Sequence, residues 1–169
     1  MKPYQLYSSK LPSLNEAMTH YGKEVSNHTA FQLSRERLTP ADFFDDKLML
    51  IHAISYGITF RFFATIQEMA PFSEEEWANY LNISLKTLQR NKKEKDFIFK
   101  PIHSEKIIEL FEVVLFGLEV FDSKEQFHKW LLRPSLAFGS MTPAKLLENS
   151  YGKELVMNAL NAIDQGIFA

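Results

Sequence analysis

The side chains that most often carry catalysis or bind metals lie along this sequence without the spacing that either task needs. The chain has five histidines and no cysteine, and no two histidines fall one helical turn apart. The carboxylates Asp45, Asp46 and Glu74 to Glu76 are adjacent in sequence, which suits helix starts and solvent better than acid–base chemistry or metal binding. No glycine-rich phosphate loop or nucleophile elbow occurs. We therefore expect no enzyme, no metal site and no cofactor.

A cluster of positive charge follows the three glutamates, although the formal net charge of the chain is only -2. Lys86, Arg90 and Lys93 fall at i, i+4 and i+7, so they would form one stripe along a helix. Gln89 lies beside the stripe and can make a bidentate contact to a base edge. Hydroxyls near the start of such a helix usually meet phosphate. The residues predicted to contact DNA are Ser84, Lys86, Thr87, Gln89, Arg90 and Lys93.

The spacing around this stripe favours a helix-turn-helix. Such a motif needs a small residue where its helices cross and a turn residue that tolerates a positive φ. Ala78 and Asn82 meet these two needs, and Leu88 faces back towards the first helix. Asn91 departs from the pattern, because such helices often keep an apolar residue there. The alternative interpretation is that the lysines and arginines only favour the helix dipole and solvent.

Capping patterns predict where the helices begin. Ser73 and Glu76 form a capping box before the first helix of the motif. Upstream, Thr39 and Pro40 start a helix that we expect to run to Gly57. Its core face would carry three apolar side chains, namely Phe44, Leu48 and Ile51.

The other helices are predicted in the same way. Ser104 is expected to cap a largely apolar helix that runs to about Phe121 and is either a core helix or part of a subunit interface. The last helix should span about Gly152 to Gln165. Near the N-terminus, a short helix over Leu14 to His20 and a partly ordered arm both remain open. No strand-like alternation appears, so the predicted fold class is all-α.

The C-terminal third carries an ordered set of short motifs, W-L-x-x-P, then G-x-x-T-P-x-x-L-L, then G-x-x-x-V-x-x-x-L-x-x-I-x-x-G. This pattern resembles the toxin-binding domain of Xre/MbcA/ParS-type antitoxins. The matching residues are Trp130, Leu131, Pro134, Gly139, Thr142, Pro143, Leu146, Leu147, Gly152, Val156, Leu160, Ile163 and Gly166. Upstream, the family's Xre-like helix-turn-helix is matched by Ser84, Thr87, Leu88 and Arg90. Phe138, Ser140 and the Asn149–Ser150 pair depart from the family pattern.

The resemblance implies an antitoxin whose partner is usually a RES-domain toxin, which destroys NAD. In this family the C-terminal region plugs the entrance of the toxin's active site, and the complex represses its own promoter. The implied organisation is an N-terminal extension (1–38), an Xre-like helix-turn-helix domain (39–121) and a toxin-binding domain (122–169). We predict toxin contacts from one face of the last helix and the tail, namely Lys153, Asn158, Asn161, Gln165, Ile167, Phe168 and Ala169. Alternatively, Phe168 folds back into the core.

The implied partners are the toxin, double-stranded operator DNA and a second copy of the chain. The dimer would use the apolar surface of the helix over residues 107–121. No apolar run approaches the roughly 20 residues of a membrane span, and the N-terminus lacks the apolar core of a signal peptide. We therefore expect a cytoplasmic protein. Two alternative functions remain open: a stand-alone transcriptional regulator whose C-terminal domain dimerises or binds an effector, and an adaptor with a vestigial helix-turn-helix.

Overall fold

The protein is all-α, as predicted. The structure, a computed structural model, describes residues 12–167, and these contain ten α-helices, a single 3₁₀ turn and no strand. The helices are α1 (Pro12–His28), α2 (Pro40–Asp45), α3 (Lys47–Tyr56), α4 (Phe60–Met69), α5 (Glu74–Tyr80), α6 (Leu85–Lys93), α7 (Pro101–Val120), α8 (Lys124–Leu131), α9 (Pro143–Leu146) and α10 (Ser150–Asp164). The 3₁₀ turn (Leu136–Phe138) lies between α8 and α9.

Helix α7 is the central element of the fold. Helices α3, α4, α8 and α10 all pack against it. Its buried apolar residues are Ile107, Ile108, Leu110, Phe111, Val113, Val114, Leu115 and Phe116. Of the two alternatives that the sequence left open, the core helix is therefore the one observed. The apolar surface that we expected to serve a dimer is already covered by the chain itself.

One hydrophobic core connects the three predicted segments. It extends without a break from Leu14 in α1 to Leu160 in α10. Its centre is a chain of edge-to-face aromatic contacts, in which Phe63 lies 5.0 Å from both Trp77 and Phe99, measured between ring centroids. Such pairs add stability beyond the burial of their area. The α5–α6 pair and the C-terminal helices thus share their interior, and the predicted domain boundaries stay predictions.

Helix α1 is longer than the short helix considered from the sequence. It packs against α3 and α4, and Gly22 is one of its buried residues. A Cβ at Gly22 would lie 3.0 Å from a side-chain carbon of Leu38, so the missing side chain lets α1 approach its neighbours closely. The buried hydroxyl of Tyr21 lies within 3.1 Å of the carbonyl oxygens of Ala53 and Gly57. One face of α1 therefore belongs to the core.

The single helix predicted from Thr39 to Gly57 is wrong, because the chain breaks at Asp46. Asp46 ends α2 in an extended conformation and caps α3, where its carboxylate accepts a hydrogen bond from the Met49 amide at 3.0 Å. Because the helix restarts at Lys47, the residues of α3 that face the core are not those that a continuous helix would turn inward. Met49 and Ala53 are buried. Leu48 and Ile51, which we expected in the core, are 64% and 57% exposed.

Ser104 does not cap α7, which was the prediction. The helix already begins at Pro101, whose fixed φ and missing N–H suit a first helical position. Ser104 lies fully buried inside the helix, where its hydroxyl accepts a hydrogen bond from the Ile58 amide at 2.8 Å and donates one to the Phe99 carbonyl at 3.1 Å. It therefore fastens the start of α7 to the segment that leads into α4.

Candidate functional site

The α5–α6 pair begins with the predicted capping box. The Ser73 hydroxyl accepts a hydrogen bond from the Glu76 amide at 3.1 Å, and the Glu76 carboxylate accepts one from the Ser73 amide at 2.7 Å. Phe72 and Trp77 pack edge to face beside the box with 5.4 Å between ring centroids. The start of α5 is therefore fixed by local contacts that the sequence specifies.

The turn between the two helices has the predicted left-handed residue, Asn82, with φ of 52°. The amides of Asn82 and Ile83 donate to the carbonyls of Asn79 and Ala78, each at 3.0 Å, in the Schellman arrangement that ends many helices. Ala78 and Leu88, the two predicted anchoring positions, are both buried. The left-handed turn residue and the two buried anchors are therefore where the sequence predicted them, and the helix-turn-helix itself stays a prediction.

Helix α6 presents the predicted cationic stripe to solvent. Lys86, Arg90 and Lys93 are all exposed, and none of them forms an ion pair among the described residues. Asn91, the departure from the pattern, is buried, and its carbonyl accepts the amide of Glu94 at the end of the helix. The stripe is therefore an open positive surface, as phosphate binding would require.

Three of the predicted DNA contacts already have partners within the protein. The Ser84 hydroxyl caps α6 by accepting from the Thr87 amide at 3.0 Å, and the two hydroxyls lie 2.8 Å apart. The Gln89 side-chain amide donates to the carboxylate of Glu74 at 3.4 Å. Ser84 and Thr87 thus shape the helix start, whereas the side chain of Gln89 is turned towards α5.

Glu74 is a residue of this surface that the sequence did not single out for binding. Its other carboxylate oxygen lies 3.2 Å from Nζ of Lys92. The hydrogen bonds from Lys92 and then from Gln89 hold the pKa of Glu74 below its ordinary value. The sequence showed Glu74 only as part of an acidic first turn, because its partners lie 15 and 18 residues away.

The C-terminal helices are attached to α5 by two polar contacts. The Tyr80 hydroxyl donates to the Ala144 carbonyl at 3.1 Å, and His128 of α8 lies 3.4 Å from the Glu76 carboxylate. Burial raises the pKa of Tyr80, and the neighbouring carboxylate of Glu76 adds to the effect. Tyr80 therefore stays a neutral hydrogen-bond donor at this junction.

Helix α10 is held firmly on α7 and α9. Gly152, Val156 and Leu160 form its buried face. On one flank, Nζ of Lys153 donates to the carboxylate of Glu112 on α7. At the first turn, the Ser150 hydroxyl donates to Glu109 at 2.6 Å. These contacts fix the position of α10, and therefore also the position of the side chains on its opposite face.

The predicted toxin-contact residues do not all lie on that opposite face. Asn158, Asn161 and Gln165 are exposed, with Gln165 donating a long 3.4 Å hydrogen bond to Asn161. Lys153 is partly buried in its pair with Glu112, so it lies at the flank nearest α7. Its role in toxin binding stays a prediction, as do those of the other three.

Two apolar residues of the exposed face were missed by the sequence analysis. Tyr151 and Leu155 are 86% and 48% exposed, although their side chains are large. With Asn158, Ala162 and Gln165 they follow the spacing i, i+4, i+7, i+11 and i+14, so all five share one stripe of the helix. We call these five residues the α10 stripe. The four-residue spacing of Tyr151 and Leu155 in the sequence could have indicated this surface.

Helix α10 ends in a hydrogen-bonded turn that fixes the position of Ile167, the first residue of the tail. Gly166 has φ of 69°, and the amides of Gly166 and Ile167 donate to the carbonyls of Ile163 and Ala162 in a second Schellman arrangement. Ile167 is 58% exposed. Phe168 and Ala169, the other predicted tail contacts, lie outside the described residues.

Within residues 12–167, no group of three or more histidine, aspartate or glutamate side chains is placed to hold a metal ion. In the same part of the chain, no helix is both long and apolar enough to cross a membrane.

Comparison with known protein families finds a match, which covers the C-terminal helices. Residues 117–166 match the antitoxin Xre/MbcA/ParS C-terminal toxin-binding domain. The match begins at Gly117 within α7, where a Cβ would lie 2.1 Å from the Phe127 ring, and ends at Gly166 after α10. No curated protein matches this sequence. The resemblance noted in the sequence is therefore confirmed for this part of the chain, and the match supports an antitoxin role.

Proposed function

Because residues 117–166 match the antitoxin Xre/MbcA/ParS C-terminal toxin-binding domain, we propose that the protein neutralises a RES-domain toxin and represses its own operon. The α10 stripe carries this proposal, since it places an exposed tyrosine and leucine, Tyr151 and Leu155, within the matched domain. Large apolar side chains that the described residues leave exposed are typical of protein-binding surfaces.

The geometry supports recognition by a helix that lies in a groove of the toxin. In that mode an amphipathic helix offers anchors at i, i+4 and i+7, here Tyr151, Leu155 and Asn158. The buried face and the Lys153–Glu112 pair hold the helix in place before binding. Little conformational entropy would then be lost on association, which favours affinity.

The tail would block the toxin's active site. Its first residue, Ile167, leaves α10 through a hydrogen-bonded turn at Gly166, so a toxin bound to the α10 stripe would meet the tail at one end of the helix. In RES-domain toxins that site degrades NAD. Occlusion needs no catalytic residue of the antitoxin, and a non-enzymatic role is part of the proposal.

Autorepression would use the α5–α6 pair as a helix-turn-helix. The open stripe of Lys86, Arg90 and Lys93 supplies charge for phosphate contacts, and Gln89 supplies a base-reading amide. A homodimer would engage two half-sites and so gain affinity, although its interface would not use the buried residues of α7. Operator binding and toxin neutralisation both place the protein in the cytoplasm.

The proposal is tested by purifying the tagged full chain from its native host and identifying the proteins that accompany it. The captured protein is then expressed alone and together with the antitoxin. We expect growth arrest by the captured protein, a fall in cellular NAD, and rescue by the antitoxin. A captured protein that is harmless, or whose toxicity persists in the presence of the antitoxin, would contradict the proposal and favour the stand-alone regulator.

A further inference from the structure

We propose that Glu74 restrains DNA binding, because its carboxylate holds Gln89 and Lys92 of α6 and keeps a negative charge beside the recognition surface. The inference rests on the proposed function of α6 as the DNA-binding helix. Glu74 is not among the predicted DNA contacts. Those residues would raise the affinity for DNA, whereas Glu74 would lower it.

The restraint is a contact across the turn between the two helices. Glu74 occupies the first position of α5, and its two carboxylate oxygens lie 3.4 Å from Nε2 of Gln89 and 3.2 Å from Nζ of Lys92. The Glu74 side chain is 34% exposed, so solvent weakens the pair without removing it. We call this arrangement the Glu74 bridge.

The three glutamates at this helix start differ in what they contact. Both carboxylate oxygens of Glu76 have partners, one in the capping box and one at His128. Glu75 is exposed and makes no hydrogen bond or ion pair among the described residues. All three favour the positive end of the α5 dipole. Of the three, Glu74 is the one that the described structure shows hydrogen-bonded to α6, so the dipole alone does not account for its position.

The consequence for DNA binding follows from charge. When a recognition helix lies in the major groove, the first helix of the motif crosses the phosphate backbone, which brings the start of α5 near phosphates. A carboxylate there is repelled by DNA. It also neutralises Lys92 and competes for the amide of Gln89. DNA must therefore displace the Glu74 bridge before these two side chains can contribute.

Non-specific duplex DNA shows the effect most directly, because its binding depends almost entirely on phosphate contacts. Each additional phosphate contact steepens the dependence of log K on log salt by about 0.9. We expect Glu74→Gln, which removes the charge and keeps the shape, to raise affinity about fivefold and to steepen this slope by about one contact. Lys92 supplies the added contact.

The experiment measures fluorescence anisotropy of a labelled 20-base-pair duplex of arbitrary sequence, titrated with the full chain at several KCl concentrations. The matched control is Glu75→Gln, which changes the net charge equally on the same helical turn. Lys92→Ala and the double variant Glu74→Gln/Lys92→Ala complete a double-mutant cycle. Far-UV circular dichroism confirms that each variant is folded.

The inference is supported if Glu74→Gln exceeds Glu75→Gln in both affinity and slope and if Lys92→Ala abolishes most of its gain. Provided that the wild type binds DNA, two results would overturn the inference. One is that Glu74→Gln and Glu75→Gln have the same affinity and slope, and the other is that Glu74→Gln raises the affinity equally when Lys92 is alanine. Absence of binding by every variant at low salt would instead remove the proposed DNA-binding function, and this inference with it. Binding by Glu74→Gln alone would support the restraint most strongly.

Discussion

Gly152 lies so close to Leu146 that a Cβ atom at Gly152 would fall 1.9 Å from the Leu146 carbonyl oxygen. The contact joins the first turn of α10 to the end of α9, and the Asn149 side chain caps the same turn by accepting from the Gly152 amide at 2.9 Å. No side chain fits between these two backbones. The glycine therefore sets the direction in which α10 leaves α9.

We expect Gly152→Ala to lower the free energy of unfolding by about 2–3 kcal/mol, because backbone must move to admit the methyl group. The comparison is Gly139→Ala. Gly139 has φ of 61° with open space around its Cβ position, so only the conformational penalty of about 1 kcal/mol applies. Urea denaturation measures both values. Equal losses would mean that α9 and α10 shift apart easily.

Ser104→Ala should destabilise the protein by about 1–3 kcal/mol. The substitution leaves the buried Ile58 amide without its acceptor, and an unpaired buried donor costs its full desolvation energy. Ser55→Ala serves as the control, since that hydroxyl also donates to a backbone carbonyl but is exposed. Its loss should stay within about 0.5 kcal/mol. A small effect at Ser104 would show that water or a backbone shift satisfies Ile58.

Features set by neighbouring residues were predictable from the sequence. The predicted caps at Thr39 and Ser73 both occur, because each needs only a side chain and an amide three residues later. The left-handed turn at Asn82 follows from the same kind of local preference. Short-range patterns therefore gave the fold class and the α5–α6 pair.

Features set by distant residues were not predictable. Ser104 resembles an N-cap in sequence, yet its partner Ile58 lies 46 residues away. The flank position of Lys153 depends on Glu112, 41 residues earlier, and the Glu74 bridge spans the turn. Asp46 is a different case, since it caps α3 through a local contact with Met49. The apolar residues after it keep a helical spacing with those before it, so the sequence pattern did not show that one helix ends there and another begins.

Replacing Lys86, Arg90 and Lys93 together by alanine should weaken DNA binding and reduce its salt dependence. Each lost phosphate contact lowers the slope of log K against log salt by about 0.9, so the triple variant should lose roughly 2.7. Lys129→Ala, an exposed lysine on α8, should leave the slope unchanged. Anisotropy titrations with the gene's own upstream DNA measure both. An unaltered slope in the triple variant would show that another surface binds the phosphates.

Tyr151→Ala combined with Leu155→Ala should weaken toxin binding by at least about 100-fold, because buried aromatic and aliphatic anchors carry most of an interface's energy. Both side chains are exposed, so the free energy of unfolding should change by less than about 0.5 kcal/mol. Glu154→Ala, exposed on the same helix but outside the α10 stripe, is the control. Calorimetric titration with the captured toxin measures the affinity of both variants and of the wild type. If the double variant binds as tightly as Glu154→Ala, the interface lies elsewhere.

Deleting residues 167–169 should separate toxin inhibition from toxin binding. Helix α10 ends at Asp164, and among the described residues the deletion removes one backbone hydrogen bond of the Gly166 turn, that of the Ile167 amide. We expect the truncated protein to bind toxin through the α10 stripe with affinity reduced by less than about tenfold. NAD degradation should nevertheless resume in the complex, because the active site is open again. If the truncated protein inhibits fully at saturation, the tail is not the plug and the stripe alone covers the site.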